Sequence, residues 1–346
     1  MMESMQDRLL APLPPIDPGN SVEIWRKRRR ELLDEIIDIE YGGFPPEPQS
    51  VRVEQLQHPI NALSMKIYVN ERFNFMMQVF KPRPLEEGKK YPVILTGDGC
   101  YRTCNDIVID DAIARGFVVA KFNRVEFAKD LHHEDRTGGI YEMYPGLTFG
   151  AISAWAWGYS RAMDALETLP FVDTEKVTIT GHSRGGKTVL LAGAVDERFA
   201  VVNPNGSGCG GGGCFRYRTE PRDGKRGNER LEEILRGVAY WFGPKLKEYI
   251  GRDHELPFDQ HFLKACVAPR RLLETNGSDD TWANPKGAYL TYEAAKEVWE
   301  LYGVPENIAY RLREGGHAHL PSDFDALLAF IEDVNTVTDG YKVTPF

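Results

Sequence analysis

Lys176-Val177-Thr178-Ile179-Thr180-Gly181-His182-Ser183-Arg184-Gly185-Gly186-Lys187 runs straight from a β-branched segment into an apolar one, Thr188 to Ala194. The first part, 176–180, has the composition of a buried strand, and 187–194 that of a helix. Between them a single serine is flanked by glycines in the pattern Gly-x-Ser-x-Gly. A strand that turns directly into a helix reverses too tightly for side chains at the flanking positions, so glycine is required there. The turn forces the serine into a strained conformation that presents its hydroxyl at the carboxyl end of the sheet. The positive end of the following helix favours negative charge developing at that point. Ser183 is therefore the candidate nucleophile.

The segments around the elbow extend the same alternation. Pro92–Thr96 and Phe117–Phe122 read as buried strands, and Asp106–Arg115 and Phe149–Leu169 as helices. Two later strands are expected at Arg271–Thr275 and Ile308–Leu312, and a last helix from Asp323 to Val334. Continuous apolar strands alternating with helices predict an α/β protein: a three-layer sandwich with a mostly parallel central sheet. With the elbow in that context, the expectation is the α/β-hydrolase fold. Upstream, residues 64–69 and 75–80 alternate as antiparallel strands do. Ser21 is placed to cap a helix reaching about Tyr41, where Gly42-Gly43-Phe44-Pro45-Pro46 stops it. The expected organisation is an N-terminal arm and helix, 1–50, packed on a catalytic domain of 51–346, with a single domain overall.

Bulk composition narrows the function classes. The 346 residues are 42% hydrophobic and 27% charged, enough for a sizeable core, and the net charge is −9. That balance speaks against a nucleic-acid partner, which needs a basic face. The basic run Arg26–Arg30 is followed at once by Glu31, Asp34 and Glu35, as on a solvated helix face. No apolar stretch approaches the length of a membrane span. The five cysteines lack metal-type spacing apart from Cys100-x-x-x-Cys104, and read as free thiols. Neither a metal nor an organic cofactor is expected. Free thiols, and an N-terminus without a basic start and apolar stretch, favour a cytoplasmic location, or secretion if the native N-terminus is missing.

A serine nucleophile needs a base, which in this fold follows it in the chain order serine, acid, histidine. Four histidines lie beyond Ser183: His254, His261, His317 and His319. His317 and His319 stand between the last expected strand and the last helix, where the fold delivers its base. His317 directly follows a Gly-Gly turn and is preferred, with His319 as the alternate. His261 precedes an expected helix and reads as structural. The acid should follow the penultimate strand, in Asn276-Gly277-Ser278-Asp279-Asp280-Thr281-Trp282-Ala283-Asn284-Pro285. Either aspartate could orient an imidazole. Asp280, five residues before Pro285, is the choice and Asp279 the alternate.

Taken together, these residues resemble the glucuronoyl esterases, carbohydrate esterase family fifteen, and in particular their bacterial branch. The resemblance rests on Phe122-Asn123-Arg124, Trp155-Ala156-Trp157-Gly158-Tyr159-Ser160-Arg161 and Gly181–Lys187. It continues through Asp196-Glu197-Arg198-Phe199, Ser207-Gly208-Cys209-Gly210-Gly211, Leu256–His261, Ala268-Pro269-Arg270 and Asp280–Pro285. It implies a serine carbohydrate esterase that hydrolyses esters of glucuronic acid through an acyl-enzyme, with a small-molecule or oligosaccharide ester as substrate. It also implies that Arg184 holds the oxyanion through backbone and guanidinium, that Lys187 binds sugar hydroxyls, and that Trp282 contacts the glucuronate. Two positions depart from the family. Fungal members place the acid in Glu-Ser-Gly-x-Gly-Gly, where this chain has Gly206, so the acid must come from Asp279 or Asp280, as in some bacterial relatives, or be missing. In Glu232–Trp241, where a sugar-binding glutamate is expected, Arg236-Gly237 stands instead. A carbohydrate acetyl esterase on the same triad, and a non-catalytic carbohydrate-binding relative, are the competing expectations.

Overall fold

The computed structural model describes residues 7–56, 62–131, 136–221 and 226–332. In chain order the strands and longer helices are β1 (Arg8–Leu9), α1 (Val22–Ile36), β2 (Val51–Leu56), β3 (Ala62–Val69), β4 (Phe73–Phe80) and β5 (Tyr91–Thr96). There follow α2 (Asp106–Ala114), β6 (Val118–Phe122), α3 (Ala151–Leu166), β7 (Val172–His182), α4 (Arg184–Val195), β8 (Phe199–Asn205) and β9 (Tyr217–Arg218). The chain continues with α5 (Leu231–Val238), α6 (Gln260–Ala265), β10 (Arg271–Gly277), α7 (Pro285–Tyr302), β11 (Ile308–Arg313) and α8 (Pro321–Glu332). The end of the last helix, expected to reach Val334, lies outside the described residues.

The main sheet has nine strands in the order β11-β10-β8-β7-β5-β6-β4-β3-β2. From β6 to β11 every pairing is parallel, and β4, β3 and β2 extend the sheet antiparallel. Period-two alternation sends successive side chains to opposite faces. Val93 and Leu95 of β5 join the large core with α3, α4 and α1, while Ile94 packs with Val108 and Ile109 of α2 and Phe324 and Leu328 of α8. Helices thus cover both faces, as expected for a three-layer α/β sandwich. Trp25, Leu32, Leu33 and Ile36 of α1 belong to the same core, and Arg29 ties α1 to the carbonyls of Cys266 and Ala194 at 2.8 and 2.7 Å.

Strand β8 is absent from the sequence expectation. Asn203, Pro204 and Asn205 interrupt its apolar pattern, yet the strand lies in the middle of the sheet and both asparagines are fully buried. They are tolerated because they are bonded: Asn203 accepts from the Thr180 hydroxyl at 2.7 Å and donates to the Leu273 carbonyl at 2.7 Å. The N-terminal helix starts as expected, with the Ser21 hydroxyl accepting from the Ile24 amide at 3.3 Å. Its last turn, Ile37–Tyr41, widens into a π-helix before Gly42 takes a left-handed conformation at φ 70°.

The order of the strands places the site. The chain runs from β5 to β6 on one side and then crosses to β7 on the other, so the loops after β5 and β7 diverge. Such a divergence opens a crevice at the carboxyl ends of the strands. The loops after β8, β10 and β11 open on the same end.

Candidate active site

At the end of β7 the chain turns into α4 through Ser183, whose φ of 57° and ψ of −118° lie in a region that L-residues rarely adopt. The glycines make this possible. A β-carbon on Gly181 would lie 2.5 Å from the carbonyl oxygen of Gly185, and one on Gly185 would lie 2.2 Å from Oδ1 of Asp98. Strain at such a residue costs about 1–3 kcal/mol and must be held by its surroundings. Here the Ser183 amide donates to Asn205 O at 2.8 Å and the His182 amide to Asp98 Oδ2 at 2.7 Å. Asp98 is itself gripped by Arg124, both fully buried.

The loop after β11 brings His317 to the serine's side of the sheet, and both line one cleft of about 720 Å³. Nδ1 of His317 lies 2.5 Å from Oδ2 of Asp280, which follows β10. Oδ1 of Asp280 accepts from the Ala283 amide at 3.3 Å, which fixes the carboxylate. Asp280 is buried, whereas Asp279 is exposed. The alternate histidine is placed differently. His319 is buried and stacked on Phe324 at 4.2 Å and 17°, neither of its ring nitrogens has a hydrogen-bond partner among the described residues, and burial drives its pKa well down. The structure therefore brings together Asp280 and His317, and leaves Asp279 and His319 outside that pair.

His182 sits between them, 4.5 Å from the His317 ring by centroids. Burial, and then the neighbouring His317, lower its pKa to about 4. Its Nδ1 faces Asn205 Oδ1 at 2.6 Å, while the Asn205 amide nitrogen donates to Thr275. Neutral His182 is thus the Nδ1–H tautomer, a fixed wall of the site. His261, inside α6, is buried and pairs through Nε2 with the Pro14 carbonyl at 2.8 Å, a structural contact with the N-terminal arm.

Arg184 extends from the elbow to Asp130 at 2.7 Å, and its guanidinium lies 4.7 Å above the Trp241 ring. Tyr240 and Trp241 hold the other oxygen of Asp130 at 2.8 and 3.1 Å. The Nε–H of Arg184 is buried without a partner among the described residues. Lys187, one turn into α4, is buried and donates to the Ser207 carbonyl at 2.5 Å. Beside it is a residue the sequence reading missed, Glu229. Burial raises its pKa, while Lys187, the Trp282 indole N–H and His317 act against that rise. Burial likewise lowers that of Lys187, with Glu229 opposing most strongly. Lys187, Glu229 and Trp282 thus form one polar group near His317, and none of the three lines the cleft that holds Ser183. Glu229 had no motif to announce it: it precedes α5 in a stretch with no periodicity. The segment Glu232–Trp241, where a sugar-binding glutamate was sought, spends its acids on ion pairs, Glu232 with Arg236 and Glu233 with Arg230.

Known proteins share this sequence pattern and fold. A family model described as glucuronyl esterase of fungi matches residues 68–303. A 4-O-methyl-glucuronoyl methylesterase of Schizophyllum commune is 32% identical over 334 residues, covering 92% of this chain and 81% of the relative. A carbohydrate esterase family 15 glucuronoyl esterase from Caldicellulosiruptor kristjansonii superposes with a TM-score of 0.82 at 30% identity, over 99% of this chain and 97% of the other. A promiscuous esterase of the same family from a marine bacterial metagenome gives 0.78 at 27% identity, over 94% and 96%. With a family model over two thirds of its length and a relative 32% identical over nearly all of it, the chain belongs to the glucuronoyl esterase family, carbohydrate esterase family 15.

Proposed function

We propose that this protein is a serine esterase that hydrolyses esters of glucuronic acid, with Ser183, His317 and Asp280 as its triad. The observation that carries the reading is the 2.5 Å contact of Asp280 with Nδ1 of His317 beside the strained serine. That contact commits Nδ1 to the carboxylate and leaves Nε2 to take the Ser183 proton. Ser183 Oγ attacks the ester carbonyl, and the oxyanion is met by the Arg184 backbone amide and guanidinium, a cation already fixed by Asp130 and Trp241. The proton on Nε2 passes to the departing alkoxide, leaving a glucuronoyl-enzyme. Water, deprotonated by the same nitrogen, releases the acid and restores the serine.

Lys187, Glu229 and Trp282 supply the sugar site in this reading: a donor, an acceptor and an indole with one N–H and a stacking face. The test compares methyl glucuronate with 4-nitrophenyl acetate. Ser183→Ala should abolish turnover of both while leaving the fold intact, and Glu229→Ala should lower kcat/KM for the uronate ester alone. An equal loss on both esters would favour a carbohydrate acetyl esterase. Uronate binding with no release of alcohol by the unaltered protein would mean a non-catalytic relative.

A further inference from the structure

The cleft that Ser183 and His317 share is bounded by the loop after β5 and the loop that enters α8, and Lys187, Glu229 and Trp282 are not in its lining. Its walls carry Tyr101, Arg102, Thr103 and Asn105 on one side and Leu320 and Pro321 on the other. In a chain of net charge −9, no aspartate or glutamate lines it among the described residues. The cations nearby are accounted for, with one exception. Arg124 is neutralised by Asp98 and Arg184 by Asp130, but Arg102 is exposed and makes no ion pair or hydrogen bond among the described residues.

The backbone adds to this charge. Asn105 caps α2, Ser183 precedes α4 and Pro321 opens α8, so three helices begin at the cleft wall. Each presents its positive end, that of α4 without an acid in its first turn, that of α8 with Asp323 paired to Arg313 and that of α2 offset in part by exposed Asp106. Tyr101 contributes a half-buried aromatic face.

With the sugar held by Lys187, Glu229 and Trp282, which do not line this cleft, the alcohol is the part of the ester left to occupy it beside Ser183 and His317. We infer that the cleft is the leaving-alcohol subsite and that it selects alcohols bearing an acidic group, with Arg102 as the residue that reads the acid. The inference rests on the glucuronoyl-ester reading above and adds to it the chemistry of the alcohol. Arg102 touches no reacting atom: it holds the far end of the alcohol, so its effect is on discrimination between alcohols and not on the acyl transfer common to them.

The experiment uses benzyl and 4-carboxybenzyl glucuronate, whose ester groups are alike and whose alcohols differ by one carboxylate. At low salt the unaltered enzyme should prefer the carboxybenzyl ester in kcat/KM by about fivefold, the size of one partly exposed ion pair. Arg102→Gln should erase that preference while leaving the benzyl ester unchanged, and raising the salt toward molar concentration should do the same to the unaltered enzyme. No preference in the unaltered enzyme overturns the inference, as does a preference that survives Arg102→Gln, or an equal fall on both esters. If neither ester is cleaved while 4-nitrophenyl acetate is, the glucuronoyl reading itself fails and this inference with it. Cleavage of both esters without discrimination removes only the inference.

Discussion

Gly206 stands against the imidazole of His317: a β-carbon built on it would lie 3.5 Å from both Cε1 and Nδ1, and 3.6 Å from Oδ2 of Asp280. The loops after β8 and β10 therefore both reach the same ring nitrogen, and this chain fills the contact from β10. Asp280→Asn should lower kcat by roughly 10³–10⁴-fold with little change in the fold, because the imidazole loses the partner that fixes its tautomer. Adding Gly206→Glu to Asp280→Ala should recover part of that loss. Gly206 has φ 51°, so the glutamate costs about 1–2 kcal/mol in stability. Steady-state rates on one ester check the prediction, and a double variant no faster than Asp280→Ala would show that Gly206 cannot deliver an acid.

His317→Ala and His319→Phe should behave in opposite ways. The first removes the base and should cost at least 10³-fold in kcat. The second replaces a buried ring already stacked on Phe324, and kcat should stay within a few-fold. The pH dependence of stability supplies an independent readout. The folded-state pKa of His319 is depressed, so the stability it contributes is present above about 6.5 and lost as the pH falls. His182, with a pKa of about 4, acts in the same direction down to that pH. His319→Phe should therefore reduce the fall in Tm between pH 6.5 and 4.

Glu40 sets the opposite limb. It is buried in the π-helical turn after α1, accepts from the Gln260 amide at 2.9 Å, and burial raises its pKa to about 7. A raised carboxyl pKa favours the folded state below the unfolded value and loses that advantage as the pH climbs through 7. Glu40→Gln should match the parent in unfolding free energy near pH 5 and exceed it at pH 8 by on the order of 2 kcal/mol, with a higher Tm there. A thermal denaturation series across pH decides it.

Gly185→Ala should damage the elbow itself. The added methyl would meet the Asp98 carboxylate, which cannot retreat because Arg124 and the His182 amide hold it. Overpacking of this kind costs about 1–3 kcal/mol. Activity should fall further than stability, since the serine is displaced with its turn. A Tm lowered by a few degrees with kcat reduced more than a hundredfold is the expected pair of measurements at the mild end of that range.

What could be read from the chain alone follows from how each residue is constrained. Ser183 was legible because a steric requirement surrounds it with glycines, and His317 because few histidines follow and the fold expects one after its last strand. In the sequence Asp280 is preferred over Asp279 only for its spacing from Pro285; the physical reason, that neighbouring residues in a turn point in different directions and only Asp280 is buried, appears in the fold alone. Strand β8 was hidden by its own chemistry: Asn203 and Asn205 look like turn residues, and only their partners on β7 and β10 make them strand residues. Glu229 was illegible for a related reason, because its neighbours Lys187 and Trp282 come from distant parts of the sequence.

Half-exposure of His317 has a kinetic meaning. Its side chain keeps 40% of its surface in solvent, while that of Asp280 keeps 5%. In the reaction proposed above, the second half needs a water at Nε2, and the exposed part of the imidazole would give solvent a route to it once the alcohol has gone. An acyl-enzyme of this kind would then be open to a competing alcohol in the medium by the same route as to water, so added alcohol should divert part of the acyl group to a new ester.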